Sequence, residues 1–142
     1  MVALDLIQDH GKLLVISNIS KMGNVNRLIV SALSHGFVPI LVGCESMPTE
    51  RLLSGLADDP DTKLCRVDSF DKLSRWLVDS GYTMIGIEIT DASKDITSIS
   101  LGCTRGKIAL MPGNEGTGLT IVQKSCCHDF VFIPQYSASI ES

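Results

Sequence analysis

The residues best equipped for chemistry lie in the segment KIALMPGNEGTGL, Lys107 to Leu119, where three glycines and one carboxylate follow an apolar run. Glycines placed just after a strand let backbone N–H groups turn toward a ligand, with no side chain blocking its approach. The segment is therefore a candidate small-molecule site. It also fits a plain tight turn joining a strand to a helix. Two nucleotide-binding readings fail on residue type and place. A Walker loop needs a Lys followed by Ser or Thr where the phosphates sit, and that pair is missing. A dinucleotide fingerprint opens its fold, whereas this loop comes near the end of the 142 residues with no second half to follow.

The remaining reactive side chains suggest less. Cys44, Cys65, Cys103, Cys126 and Cys127 are odd in number and form no CxxC pair, which argues against a disulfide framework and for reduced thiols. Cys126, Cys127 and His128 are adjacent in sequence, and adjacent ligands rarely close a tetrahedral site. No second cluster exists to complete one, so no metal is expected. Asn18-Ile19-Ser20 fits a glycosylation sequon, but Met1 to His10 lacks the basic start and apolar run of a signal peptide. No stretch nears the roughly 18 uninterrupted apolar residues of a membrane span. An intracellular, most simply cytoplasmic, protein is expected. The net charge of −4 argues against a long basic footprint on phosphates. An RNA contact would have to be local, use another domain or be shared with a partner.

The elements that must hold the loop alternate between apolar runs and helical periodicity, which predicts an α/β fold: a parallel sheet of about six strands with helices on both faces. Strands are expected at Lys12–Ser17, Val38–Val42, Lys63–Val67, Tyr82–Ile89, Lys107–Met111 and Phe130–Ile133. Met22, Val25, Leu28, Ile29, Ala32 and Leu33 recur at helical spacing and predict a helix over 22–35, ended by Gly36. A short helix should start at Pro48, another follow the cap Ser69 and close at Gly81, and a third cover Leu119–Ser125. Residues 90–105 read as a polar loop. With 44% hydrophobic residues, one core and one domain over 1–142 is expected. The segment after Pro134 holds no helix, although a final strand is normally covered by one.

Taken together, three segments resemble the SpoU (TrmH) family of SPOUT methyltransferases. They are Asn18-Ile19-Ser20-Lys21-Met22-Gly23-Asn24-Val25 before the helix to Gly36-Phe37, then GNEGTGL, then Ile133-Pro134-Gln135-Tyr136. The resemblance implies transfer of a methyl group from S-adenosylmethionine to a ribose 2′-oxygen of tRNA or rRNA. It also implies a parallel sheet tied into a trefoil knot, and a homodimer if the C-terminal helix is supplied. It places Glu115 on the glutamate of the second motif, and Gly113, Gly116 and Ile133 in the cofactor pocket with Thr90. Ser142 falls on the serine that opens the third motif.

Two departures bear on turnover. Six positions after Asn24, where the family has the arginine that activates the ribose hydroxyl, this chain has Val30. A valine can neither take the proton nor stabilise the developing charge. Arg27, one turn earlier on the same helix, is the candidate substitute; it reads equally as an exposed arginine on a solvated face. Asn24, Glu115 and Arg27 are thus the candidate catalytic set. The second departure is the end at Ser142, before the helix that closes the family's pocket, so the domain reads as C-terminally incomplete, with an apolar patch expected on its sheet. The resemblance therefore carries an alternative, a catalytically silent RNA-binding or assembly factor. A third reading is an unrelated nucleotide-binding α/β domain.

Overall fold

The pattern of β1 (Lys12–Ser17) already dictates a two-faced sheet. Five of its six residues are buried, and they alternate between two cores. Leu13 and Val15 pack with Leu73 and Leu77 of α3 (Phe70–Asp79), whereas Leu14 and Ile16 pack with Val25, Ile29 and Ala32 of α1 (Met22–Ser34). A strand apolar on both faces is stable only between two layers of helix, as in parallel sheets. The computed structural model describes residues 1–56, 62–90 and 106–134, with 89, 90 and 132–134 described by backbone alone.

The other strands are β2 (Val38–Val42), β3 (Cys65–Val67), β4 (Thr83–Thr90), β5 (Ile108–Pro112) and β6 (Asp129–Pro134). All pair in parallel, in the order β3-β2-β1-β5-β4-β6. From β1 the chain steps outward to β2 and β3, then returns to build the opposite side. The direction of winding reverses between β1 and β5, and ligand crevices in open α/β sheets lie at such a reversal, outside the carboxyl ends of the strands.

Local signals set the ends of the helices. Ser69 caps α3 by accepting the Lys72 amide at 3.2 Å. Gly36, at φ +78°, lets the chain turn out of α1 while the Phe37 amide bonds back to the Ala32 carbonyl at 2.8 Å. The short α2 (Thr49–Leu52) follows Pro48, which is its N-cap rather than its first residue. A short 3-10 turn, Leu4–Ile7, precedes β1. Tyr82 anchors that turn: its hydroxyl is 3.1 Å from the carbonyls of Ile7 and Gln8, and it accepts the Gly11 amide at 3.3 Å.

Several expectations change: β3 starts at Cys65 rather than Lys63, β5 runs Ile108–Pro112 rather than Lys107–Met111, and β6 runs Asp129–Pro134 rather than Phe130–Ile133. The last of the expected helices, α4 (Ile121–Ser125), starts two residues later than Leu119, because Thr120 is its cap and Leu119 is drawn into the core. β4 runs one residue further than expected and ends on Thr90. The apolar patch foreseen on the sheet is not found at Ile85, Ile108 and Val131, which are buried together on the face that also carries α1. The expected loop over 90–105 lies, beyond Thr90, outside the described residues, as does Ser142.

Candidate functional site

At the carboxyl ends of β1 and β5 two loops meet, and asparagine side chains hold them together. Asn114 uses both halves of its amide. Its Oδ1 accepts the amides of Gly116 (2.8 Å) and Thr117 (3.1 Å), closing the glycine loop on itself. Its Nδ2 donates to the Asn18 carbonyl (2.7 Å) and to Ser20 Oγ (2.9 Å) in the loop after β1. Asn18 offers that carbonyl from a left-handed conformation, φ +64°, which asparagine tolerates better than most residues. Backbone bonds between Asn114 and Gly118, 2.9 and 3.0 Å, complete the loop.

Gly113 is glycine for a reason internal to this loop. A Cβ there would stand 2.7 Å from the Gly118 carbonyl carbon and the Leu119 nitrogen, backbone atoms that cannot yield cheaply. Gly116 differs: the nearest atom to its would-be Cβ is Asn114 Oδ1 at 3.6 Å, an ordinary contact, so a side chain there meets no clash. Gly118, at φ +73°, passes under Glu88 of β4, whose Oε1 accepts the Leu119 amide at 2.6 Å. Sequence reasoning missed Glu88. The available signal was a carboxylate inside the apolar run YTMIGIEI, where the period of two calls for an apolar side chain.

Glu115 is the second keystone. It receives the amides of Ser20 (3.0 Å) and Lys21 (3.4 Å) and the Asn24 Nδ2 (2.8 Å). The first turn of α1 has no acidic residue and Lys21 makes no side-chain cap. The carboxylate that a helix N-terminus favours thus arrives from the glycine loop. The bond from Asn24, reinforced by the Ser20 amide, holds the Glu115 carboxyl down at about 2 although it is exposed. Asn24 in turn accepts from Arg27 Nη1 at 2.9 Å. The three candidate catalytic residues thus form one chain, Arg27 to Asn24 to Glu115. Val30, further along α1, takes no part in it.

The cofactor candidates converge by register. Ile87 pairs with Pro112 across β4 and β5, while Ile89 and Thr90 pair with Ile133 and Pro134 across β4 and β6. Thr90, Gly113 and Ile133 therefore lie at the carboxyl ends of three adjacent strands. Of the thiols, Cys44, Cys65, Cys126 and Cys127 are free. Burial pushes Cys65 and Cys127 up to about 11, so neither is a ready nucleophile. His128, flagged beside the cysteines, instead accepts the Met84 amide on Nδ1 at 3.0 Å. Among the described residues no group of three or more His, Cys, Asp or Glu side chains is placed to hold a metal. No helix among them is long and apolar enough to cross a membrane.

Comparison with known proteins agrees with this architecture. The family model described as the SpoU rRNA Methylase family matches residues 11–142. No curated protein matches the chain. Among solved structures, the SpoU methyltransferase AviRb from Streptomyces viridochromogenes, in complex with AdoMet, is similar with a TM-score of 0.72 at 20% identity. That likeness covers 100% of this chain and 57% of the other. An rRNA methyltransferase from Sinorhizobium meliloti is similar with a TM-score of 0.72 at 20% identity, over 95% of this chain and 54% of the other. The A. aeolicus TrmH/SpoU tRNA modifying enzyme has a TM-score of 0.69 at 13% identity, over 94% and 71%. The chain thus spans little more than half the length of the first two, and at these identities the likeness is one of fold.

Proposed function

Since the chain belongs to the SpoU rRNA methylase family, we propose that it binds S-adenosylmethionine at the carboxyl ends of β4, β5 and β6. On this reading it directs the methyl group to a ribose 2′-oxygen of tRNA or rRNA. The observation that carries the reading is the convergence of Thr90, the Gly113–Gly118 loop and Ile133 on adjacent strand ends. Support for the cofactor comes from AviRb, a fold relative in complex with AdoMet. The residues present fit such a group. At Gly116 the loop presents backbone rather than a side chain, with Asn114 Oδ1 the nearest atom to a would-be Cβ at 3.6 Å.

When bound, S-adenosylmethionine supplies an electrophilic methyl group; the protein's task is to bring the ribose oxygen to it and ease loss of the hydroxyl proton. Position supplies much of the rate in such a transfer. Both Glu115 oxygens already accept hydrogen bonds, and the acid strength of the carboxyl makes it a weak base. Glu115 therefore orients Asn24 and the loop after β1 rather than taking the proton. Arg27, exposed and tied to Asn24, is the cation available to stabilise charge developing on the ribose oxygen. In the family's assembly the chain would act as a homodimer, which sedimentation would test.

Calorimetry with S-adenosylhomocysteine tests the pocket. Micromolar binding to the wild type and its loss in Gly116→Trp, with the melting temperature retained, is the expected result. No heat with the wild type would overturn the reading. Gly113→Trp is the poorer probe, since its collision is with the loop backbone itself.

Val30 supports a second reading, in which the chain binds the cofactor or RNA without turnover. Methyl incorporation into total tRNA and rRNA separates the two. Activity that falls at least about tenfold in Arg27→Ala, roughly the 1.4 kcal/mol of one lost transition-state contact, supports catalysis through Arg27. Absence of any incorporation supports the silent relative.

A further inference from the structure

Helix α4 is built with its polar side inward. Gln123 is its buried residue, and it is fully engaged: Oε1 accepts the Thr120 amide at 2.9 Å, the Gln123 amide bonds Thr120 Oγ1 at 3.0 Å, and Nε2 donates to the Ser17 carbonyl at 3.3 Å. The two large aliphatic residues of the helix face outward instead, Ile121 at 85% and Val122 at 63% exposure. Neither contributes to the core. Burial in the fold therefore gives no reason for apolar side chains at these two positions, which stand beside the candidate site.

Their place in the fold and the charges nearby say what makes the contact. The bond from Gln123 to Ser17 ties α4 to the end of β1, where the loop to α1 begins. Ile121 follows the glycine loop after only Leu119 and Thr120. The cations on these same segments, Lys21, Arg27 and Lys124, are exposed. The ion pairs among the described residues are Lys72–Asp68, Arg75–Asp71 and Lys107–Asp9, and use none of the three. In a chain of net charge −4, an exposed apolar pair with Lys124 on the same helix and Lys21 on the loop tied to it, neither in an ion pair among the described residues, is complementary to a nucleotide, with its flat base and anionic linkage. Two aliphatic side chains are also too small a patch for a second protein, whose stable interface takes about 800 Å² from each partner.

We propose that Ile121 and Val122 form the seat for an unpaired nucleobase of the RNA substrate, next to the nucleotide whose ribose is presented at Asn24, with Lys124 and Lys21 meeting the flanking phosphates. Aliphatic side chains serve as wedges against bases elsewhere, and sequence-reading proteins take RNA mainly as unstacked single strands. The inference rests on the RNA methyltransferase reading and names the state of the substrate that the site accepts.

The test compares a fluorescein-labelled single-stranded oligouridylate with an abasic oligomer of the same ribose-phosphate length. The wild type should bind the oligouridylate about fivefold or more tighter, a modest fraction of what a stacked base contributes. The double variant Ile121→Ser, Val122→Ser should bind both oligomers equally, and Ile121→Leu should restore the preference. Lys124→Ala should weaken both to the same degree and flatten the salt dependence. S-adenosylhomocysteine affinity should stay unchanged in all of these variants. If the double Ser variant keeps the full preference for bases, the seat is wrong while the cofactor reading stands. Loss of S-adenosylhomocysteine binding by the wild type would instead strike the underlying reading. A wild-type dimer in sedimentation that becomes monomeric in the double Ser variant would also overturn the proposal and assign the pair to a second copy.

Discussion

Glu115 joins an exposed carboxyl to a strongly lowered pKa, and this has a consequence that pH can read. Its folded value of about 2 lies below the ordinary 4.5. The carboxylate's contribution is therefore fully present above about pH 4.5 and is lost as pH falls from there through 2. Solvent screens an exposed group, so the effect on global stability is that of a surface interaction. The local effect should be clear. NMR resonances of the Ser20 amide and Asn24 side chain should titrate with a midpoint near 2 and stay flat from pH 5 to 8. A midpoint near 4.5 would show that the three bonds do not form. Gly113→Ala tests the other keystone: the clash with Gly118 and Leu119 backbone should cost on the order of 2 kcal/mol, seen as a lower denaturation midpoint. Sequence alone pointed to Gly113, Glu115 and Asn24 through their family positions. Asn114 and Glu88 escaped because their roles depend on partners distant in sequence. Only the folded chain sets Asn114 against Asn18 and Ser20, or Glu88 against Leu119.

Elements were legible wherever period and punctuation agreed. The run Lys12–Ser17 and the helix beginning at Met22 stand as expected, because an apolar run and a 3.6-residue spacing each allow one solution. The start of α4 was misplaced because Leu119 continues an apolar pattern that the Thr120 cap interrupts. Capping by side chain is a short-range choice that hydrophobic spacing does not report. That cap makes its own prediction. Gln123→Ala removes one half of the capping box and the bond to Ser17, and should destabilise the chain by about 1–2 kcal/mol in urea titration. Gln123→Glu keeps the capping geometry but withdraws the donor from Ser17, so it should recover only part of the loss. Asn26 plays a matching role for α2, donating to the Leu52 and Ser54 carbonyls at 2.7 and 2.9 Å. Asn26→Ala should speed hydrogen exchange in α2 and leave β1 unaffected.

Across the whole molecule, fold class was readable as strand and helix in alternation, but strand order was not. Apolar pattern does not rank the strands by itself, and the side-chain fit of the folded chain goes with an order in which β5 rather than β4 lies beside β1. Tyr82 shows how far such fit reaches. It follows α3 yet fixes the N-terminal turn, and stacks on Trp76 with ring centroids 5.7 Å apart. Tyr82→Phe should lower stability by about 1 kcal/mol and raise protease sensitivity near Gln8, while cleavage unchanged there would show the hydroxyl to be idle. The placing of β5 against β1 also sets an order of events. The bonds of Glu115 and Asn114 to the loop after β1 and to the first turn of α1 bridge 91 to 96 residues of chain. Contacts so remote in sequence form late and slowly, because the loop they close must first be brought together. During synthesis, β1 and α1 leave the ribosome with the Ser20 and Lys21 amides still unclaimed, and they wait until the glycine loop has been made. A nascent chain therefore gains its shape in stages but its site all at once.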